Sequence, residues 1–432
     1  MMKKYTIMEA IEKGMQEVEF YGWVHRERGS NKFKFINLRD SSGIIQCVFN
    51  REDFSDDKWE DIDKLLIESS LKIVGKLVED KRSEVGYEIQ VSDFEIFNRA
   101  DIFPITKDQS PEFLADNRHL WIRSRKMIAI MKVRSTYVQA RDEFFRNEKF
   151  YRFDTPILQP SQSEGGSTLF EVNYYDSKTY LAQTWQLYGE AAIFALEKVY
   201  DMGPTFRAEK SKTSRHLSEF WMAEMEAAWF DLYDAIDFAK KELKYCIGKV
   251  IENNSKELEF LGQNVEKLKE MLNREWPTIK YREALKVLKE KSGMEVEFGK
   301  DLRTVEEEKL MEYFETPVAV THYPKEVMAF YKPSDKDNKD EALCFDMLAP
   351  SGYGEIVGGS QRDLDIEEMS KRLLADGEDL ENYQWYFDLR RYGSVMHSGY
   401  GVGIERVIRW ICNLENIKDA IAFPRTMLRF KP

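Results

Sequence analysis

"FRAEKSKTSRHLSEFWMAE", residues 206–224, decides how the chain reads. Apolar and aromatic ends flank a polar middle, the order expected of a strand, a turn and a returning strand. Arg207 and Glu209 then share one face of the first strand, and Arg215 to Phe220 begin the second. Two guanidiniums converging on one cleft offer planar paired donors to phosphate or carboxylate oxygens, and Phe220 offers a face to a purine. The same residues also suit a solvated hairpin whose charges pair with each other. The rest of the chain has to decide between the two.

The 432 residues exceed what one small core organises, and with 43% apolar and 13% aromatic content two or more domains are expected. Cys47, Cys246, Cys344 and Cys412 lie far apart with no C-x-x-C pair, which excludes a disulfide framework or structural zinc. A net charge of −13 excludes a protein that coats nucleic acid indiscriminately, though not one with a local basic groove. No apolar run reaches membrane length and the first residues lack a continuous apolar segment, so the expectation is a cytoplasmic, unanchored chain.

Upstream of the opening stretch, residues 17–100 alternate with period two (Val18, Phe20, Gly22, Val24; Phe33, Phe35; IIQCVF; Tyr87, Ile89, Val91), broken by turns and one helical interlude near 56–68. That describes a five-stranded barrel of the OB type, a scaffold suited to oligonucleotides. Residues 1–102 are assigned to it, and the proline-interrupted 103–120 is read as a linker. From 121 to 432 a second domain follows. Ile130, Val133, Tyr137, Ala140 and Phe144 predict a long amphipathic helix over 122–148, ending at a strand that holds Pro156. Helical sequence over about 232–292 reads as an insertion, and strand-like runs resume at TPVAVTHYP, EALCFDMLAP and GEIVGGS. Strands and helices without a βαβ rhythm predict an antiparallel α+β fold.

Four further stretches carry candidate chemistry. In FDMLAPSGYGEIVGGSQR (345–362), Asp346 and Glu355 face each other across a loop, either as turn acids or as a pair for Mg²⁺. In HSGYGVGIERVIRWI (397–411), alternate glycines lead into a helix bearing Arg406; they either admit a flat ligand or permit tight packing. The chain ends too soon after them for a dinucleotide fingerprint. SEGGSTLF (163–170) holds Glu164, which could take an ammonium group, and YLAQTWQLYGE (180–190) sets Gln183 and Gln186 at the start of a helix. No histidine has a nucleophile-and-base setting, so arginines, an acid pair and an aromatic point to phosphoryl chemistry run by positioning and charge.

Taken in order, these stretches resemble the three signature motifs of class II aminoacyl-tRNA synthetases with an N-terminal OB domain. The long helix with Pro156 is similar to motif 1, FRAEKSKTSRHLSEF to motif 2 and GYGVGIERV to motif 3. SEGGSTLF, EIVGGSQR and the ending AIAFPRT are similar to the asparaginyl members. The resemblance implies ATP-dependent activation of L-asparagine and transfer of the asparaginyl group to the 3′-hydroxyl of tRNA(Asn), by a homodimer using Mg²⁺. It implies Arg207 and Arg406 as catalytic. ATP would be held by Arg207, Glu209, Arg215, His216, Leu217, Phe220, Glu355, Gly403 and Arg406, and Mg²⁺ by Asp346 and Glu355. The amino acid would meet Glu164, Gln183, Gln186, Gly189, Arg207, Ser360 and Arg362, and the anticodon Arg26, Phe35 and Gln46. Aspartyl relatives carry a lysine where this chain has Gly189, so its loss and the neighbouring Glu190 favour asparagine, whereas Arg362 alone would tolerate aspartate. An aspartyl-tRNA synthetase and a tRNA-independent asparagine synthetase stand as alternatives.

Overall fold

The computed structural model describes residues 4–160, 163, 168–210, 213 and 215–432. They form two compact units, Met1–Leu114 and Ala115–Pro432.

In the first unit, β1 (Glu17–Gly29), β2 (Phe33–Arg39), β3 (Ile44–Asn50), β4 (Ser70–Glu79) and β5 (Tyr87–Asn98) close into a barrel in the order β1-β2-β3-β5-β4. The alternation read from sequence turns Val18, Phe20, Val24, Ile36, Leu38, Ile45, Cys47 and Phe49 into one core. The helical interlude is Asp56–Asp63, started by the Ser55 hydroxyl accepting from the Lys58 N–H.

The second unit is built on an eight-stranded sheet and is α+β, as the sequence predicts. Its strands are β6 (Tyr151–Arg152), β10 (Lys198–Phe206), β11 (Glu219–Ala228), β12 (Thr278–Lys280), β13 (Val318–Thr321), β14 (Cys344–Ala349), β15 (Gly354–Gln361) and β16 (His397–Gly403). They run in the order β12-β13-β14-β15-β16-β11-β10-β6, antiparallel except for the outer pairs β12/β13 and β10/β6. Strands β7 (Leu158–Gln159), β8 (Glu171–Tyr174) and β9 (Ser177–Leu181) make a separate small sheet.

Helix Arg125–Asn147 and helix Leu232–Phe260 bury their apolar stripes with one face of the large sheet. Ile130, Val133, Tyr137, Ile236, Leu243 and Ile247 share a cluster with Ala223, Met225, Val357 and Val402. Within this layer Arg141 is fully buried and fully paired. Its Nε lies 2.7 Å from Glu242, and its Nη atoms donate to the carbonyls of Asp201 at 2.9 Å and Glu224 at 3.1 Å.

One local expectation needs correction, and two are filled in by the structure. Pro156 stands between β6 and β7, outside any strand, because β6 is only two residues long. The helical stretch 232–292 holds the helices Leu232–Phe260, Val265–Asn273 and Tyr281–Ser292; the first supplies a wall of the main core, and between the last two Thr278–Lys280 forms the edge strand β12. The segment read as a linker carries two short helices, Pro111–Asp116 and Arg118–Trp121. Buried Arg118 anchors the second through donors to the carbonyls of Ala422, Lys418 and Ile421.

Candidate active site

Alternation along β11 gives the sheet a second face. Ala223 and Met225 point into the core, while Met222 and Glu224 line a cavity of about 310 Å³. Arg207, Glu209, Arg215, His216, Leu217, Phe220, Gln186, Asp346, Glu355, Arg362, Gly403 and Arg406 all line it, so residues scattered over about half the chain meet in one space.

β10 ends at Phe206 and β11 begins at Glu219, so Arg207 and Glu209 do not share a strand face as expected but start a loop. The loop is pinned at its base by the Arg207 N–H donating to the Ser218 carbonyl at 3.0 Å. The Arg207 guanidinium lies 5.5 Å from the Phe220 ring centroid, and its buried Nε has no hydrogen-bond partner among the described residues. A buried donor left without an acceptor costs stability, which marks this position as one kept for a ligand.

The other arginines of the cavity are engaged. Arg406 Nη1 lies 2.7 Å from Glu355 Oε2, and Arg215 pairs with Glu307 and Glu308. Although burial works the other way, Arg406 holds the Glu355 carboxyl below its usual range. Burial and the facing Glu355 push the Asp346 carboxyl well up, and burial with the charges of Arg406, Arg207 and Arg215 lowers His216 despite Glu209. Asp346 on β14 and Glu355 on β15 reach the same point over Gly358. A Cβ there would stand 3.0 Å from Glu355 Oε1 and 3.5 Å from Asp346 Oδ1. Bare backbone under two converging carboxylates is a donor set suited to Mg²⁺, which keeps several waters and takes substrate phosphates. Among the described residues no group of three His, Cys, Asp or Glu side chains is disposed around one metal.

Deeper in, Arg362 is clamped by Glu226, with Nε 3.1 and 3.2 Å from its two carboxylate oxygens, and donates to Ser360 Oγ at 2.7 Å. Burial and Glu190 push the Glu226 carboxyl upward, against Arg362, whose contact with both carboxylate oxygens favours the ionised form. Glu190 is sealed behind it, accepting from Arg390 at 2.6 Å, His397 at 3.0 Å, the Tyr386 hydroxyl at 2.7 Å and Gln186 Nε2 at 2.9 Å. Against the penalty of burial, Arg390, His397 and Arg362 hold it ionised. Gln183 stands one turn before the helix that starts at Gln186, and its amide ties Ser163 to Thr168 by bonds of 3.1 and 2.7 Å. Glu164 lies outside the described residues. Gly189 and Ser360 are not part of the cavity lining; the Trp185 ring covers Gly189, where a Cβ would stand 2.2 Å from it.

Glu224, Glu226, Glu307, Arg390 and His397 were not singled out from sequence; Glu190 was, but only as an acid beside Gly189. Two acids two apart in the apolar run WMAEMEAAW, Glu224 and Glu226, were the one legible signal; the others are recognised only by their partners.

In the barrel, Arg26, Phe35 and Gln46 line a second cavity of about 270 Å³ with Arg28, Glu27 and Asn37. Arg28 stacks 5.2 Å from the Phe35 centroid and donates to Gln46 Oε1 at 3.1 Å, an aromatic platform with polar edges.

Comparison with known proteins matches the family described as "tRNA synthetases class II (D, K and N)" to residues 110–427 and the "OB-fold nucleic acid binding domain" to residues 18–97. The chain is 45% identical over 416 residues to the "Asparagine--tRNA ligase" of Thermoplasma acidophilum, covering 96% of each chain. It is 42% identical to that of Lactobacillus johnsonii over 433 residues, covering 100% of both. The solved asparaginyl-tRNA synthetase from Pyrococcus horikoshii complexed with asparaginyl-adenylate superposes with a TM-score of 0.96 at 42% identity, covering 100% of both chains.

Proposed function

We propose, for a chain that belongs to the asparagine–tRNA ligases of the class II synthetases, a division of labour among the residues of its two cavities. The enzyme activates L-asparagine with ATP and transfers the asparaginyl group to tRNA. In the first step an oxygen of the asparagine α-carboxylate attacks the α-phosphorus of ATP; the bond to the bridging oxygen breaks and pyrophosphate leaves. In the second, the 3′-hydroxyl of the tRNA's terminal adenosine attacks the activated carbonyl and AMP leaves.

The observation that carries the assignment is Arg207, the cavity arginine whose buried Nε lacks an acceptor among the described residues. It takes the α-phosphate and the attacking carboxylate, and neutralises charge where charge develops. Phe220, against which Arg207 already stacks, takes the adenine with Arg406 opposite. Arg215, His216 and Arg406 hold the departing phosphates, with Glu209, Leu217 and Gly403 completing the wall. Asp346 and Glu355 would hold Mg²⁺, which when bound offsets the charge of the triphosphate. At the other end, Gln186 and Arg362 address the asparagine side chain, with Glu164 receiving its ammonium and Gln183 shaping the segment beside it.

Selection of asparagine over aspartate rests on Glu226 and Glu190 rather than on Gly189. Arg362 is neutralised by these two acids, so a second carboxylate entering the pocket meets no spare positive charge, while a carboxamide can donate to an acid and accept from Arg362.

Residues 1–102 serve as the anticodon-binding part through Arg26, Phe35 and Gln46, 103–120 as the connection and 121–432 as the catalytic part. Tyr151 on the short edge strand β6, with Ile157 and Leu158 at and just before β7, are exposed and supply the apolar face of a homodimer. Among the described residues no helix is long and apolar enough to cross a membrane, in keeping with a cytoplasmic enzyme. Pyrophosphate exchange measured with asparagine beside aspartate tests the whole reading; equal or better exchange with aspartate would overturn it.

A further inference from the structure

Arg215 sits in a loop, yet its guanidinium is held from two distant parts of the chain. Nη1 lies 3.2 Å from Glu307 Oε2 and Nη2 2.7 Å from Glu308 Oε1, both on helix Thr304–Met311. Nη2 also donates to the Gly352 carbonyl in the turn between β14 and β15. Gly354, the first residue of β15 and at φ +76°, leaves no room for a side chain, since a Cβ would stand 2.6 Å from Arg215 Nη1 and 2.7 Å from Glu307 Oε2. The Glu307 side chain retains 14% of its exposure and Glu308 retains 50%, so Glu307 is the partner that water cannot readily replace. A long side chain in a loop loses rotamer freedom when it binds; one already held loses less. Among the described residues these three bonds leave the Nε hydrogen and one Nη1 hydrogen of Arg215 uncommitted beside the cavity.

We infer that Glu307 is a positioning residue for the outer phosphates of the nucleotide: it holds Arg215 so that its remaining donors meet the pyrophosphate end of ATP. The inference deepens the ATP reading given above and rests on it. Because AMP lacks the outer phosphates, Glu307 acts on ATP and pyrophosphate and not on AMP.

The test measures equilibrium binding of ATP and AMP to the full-length protein and to its Glu307→Gln variant, with pyrophosphate exchange alongside. Expected is a loss of about tenfold in ATP affinity and a rise of about tenfold in the half-saturating concentration of pyrophosphate, with AMP affinity and the KM for asparagine unchanged. Glu307→Asp, which keeps the charge, should recover part of the loss, and Glu308→Gln should lose less than Glu307→Gln. Arg215→Gln should weaken ATP similarly, and adding Glu307→Gln to it should cost little more. Unchanged ATP affinity in Glu307→Gln, equal weakening of ATP and AMP, or additive losses in the double variant would overturn the inference. If the unaltered protein lacks asparagine-dependent exchange, the substrate reading fails, while the ATP-to-AMP binding ratio still decides the role of Glu307.

Discussion

Glu226 on β11 and Arg362 just past the end of β15 lock face to face, with side chains 1% and 4% exposed and Arg362 Nε 3.1 and 3.2 Å from the two carboxylate oxygens. A buried guanidinium whose charge is already answered cannot answer another carboxylate. Glu226→Gln keeps the shape but removes the charge. The ratio of asparagine to aspartate kcat/KM in pyrophosphate exchange should then fall by roughly ten- to a hundredfold, with aspartate gaining. An unchanged ratio would return selectivity to another residue.

Gly189 is a packing position. With the Trp185 ring 2.2 Å from where a Cβ would lie, Gly189→Ala should destabilise the protein by about 1–3 kcal/mol through overpacking. Gly189→Lys should be worse and should not confer aspartate activation. Thermal melting and the paired exchange assay check both outcomes.

Among the described residues the buried Nε of Arg207 has no hydrogen-bond partner, so its loss should spare the fold and strike the chemistry. Arg207→Ala should reduce asparaginyl-adenylate formation by roughly 10²–10³-fold, the range for removing a donor at a developing charge, with the melting temperature little changed. Arg207→Lys should recover only a fraction, because a point charge cannot bridge phosphate and carboxylate as a planar fork does.

Phe35 presents its ring in the barrel cavity beside Arg28 and Gln46. Phe35→Ala should raise the KM for tRNA by about ten- to a hundredfold, matching a loss of ~1–3 kcal/mol per stacked base, and leave tRNA-independent pyrophosphate exchange unaltered. An effect on exchange would place Phe35 outside a purely tRNA-binding role.

Burial pushes the Glu224 carboxyl up to about 7 from a usual 4.5, even with the Trp185 N–H 2.8 Å from it and the Thr184 hydroxyl donating. A raised acid favours the folded state while protonated, so this contribution is present below the unfolded value and is lost as pH climbs to about 7. The loss amounts to about 3 kcal/mol and stops above that pH. Glu224→Gln, neutral throughout, should therefore gain on the unaltered protein in melting temperature between these values and hold a constant gap above them. Parallel curves would show that the group is not raised.

Much of the catalytic cleft was legible because its residues sit in stretches whose composition breaks the local pattern. Polar FRAEKSKTSRHLSEF between apolar strands, paired acids around a Pro-Gly turn and alternate glycines before a helix are each visible one at a time. What failed were statements needing a boundary or a partner. β10 stops at Phe206, one residue before Arg207, and Thr278–Lys280 pairs with β13 although the sequence around it is helical. Gly189 reads as a missing lysine until the ring that covers it is seen.

By itself, the sequence determined the period of each segment: two along the barrel strands, about 3.6 along Arg125–Asn147 and Leu232–Phe260. Period fixes which side chains share a face, and so the core and the OB and α+β architectures. It also set the order of motifs that carries membership of the family. Only the tertiary structure decided which charges answer one another: Glu226 to Arg362 over 136 residues, Glu190 to Arg390 over 200, and Glu307 to Arg215 over 92. The reason is physical. A local pattern specifies how a segment turns its apolar side inward, whereas the cost of burying a charge is met only by an opposite charge that the fold brings from elsewhere.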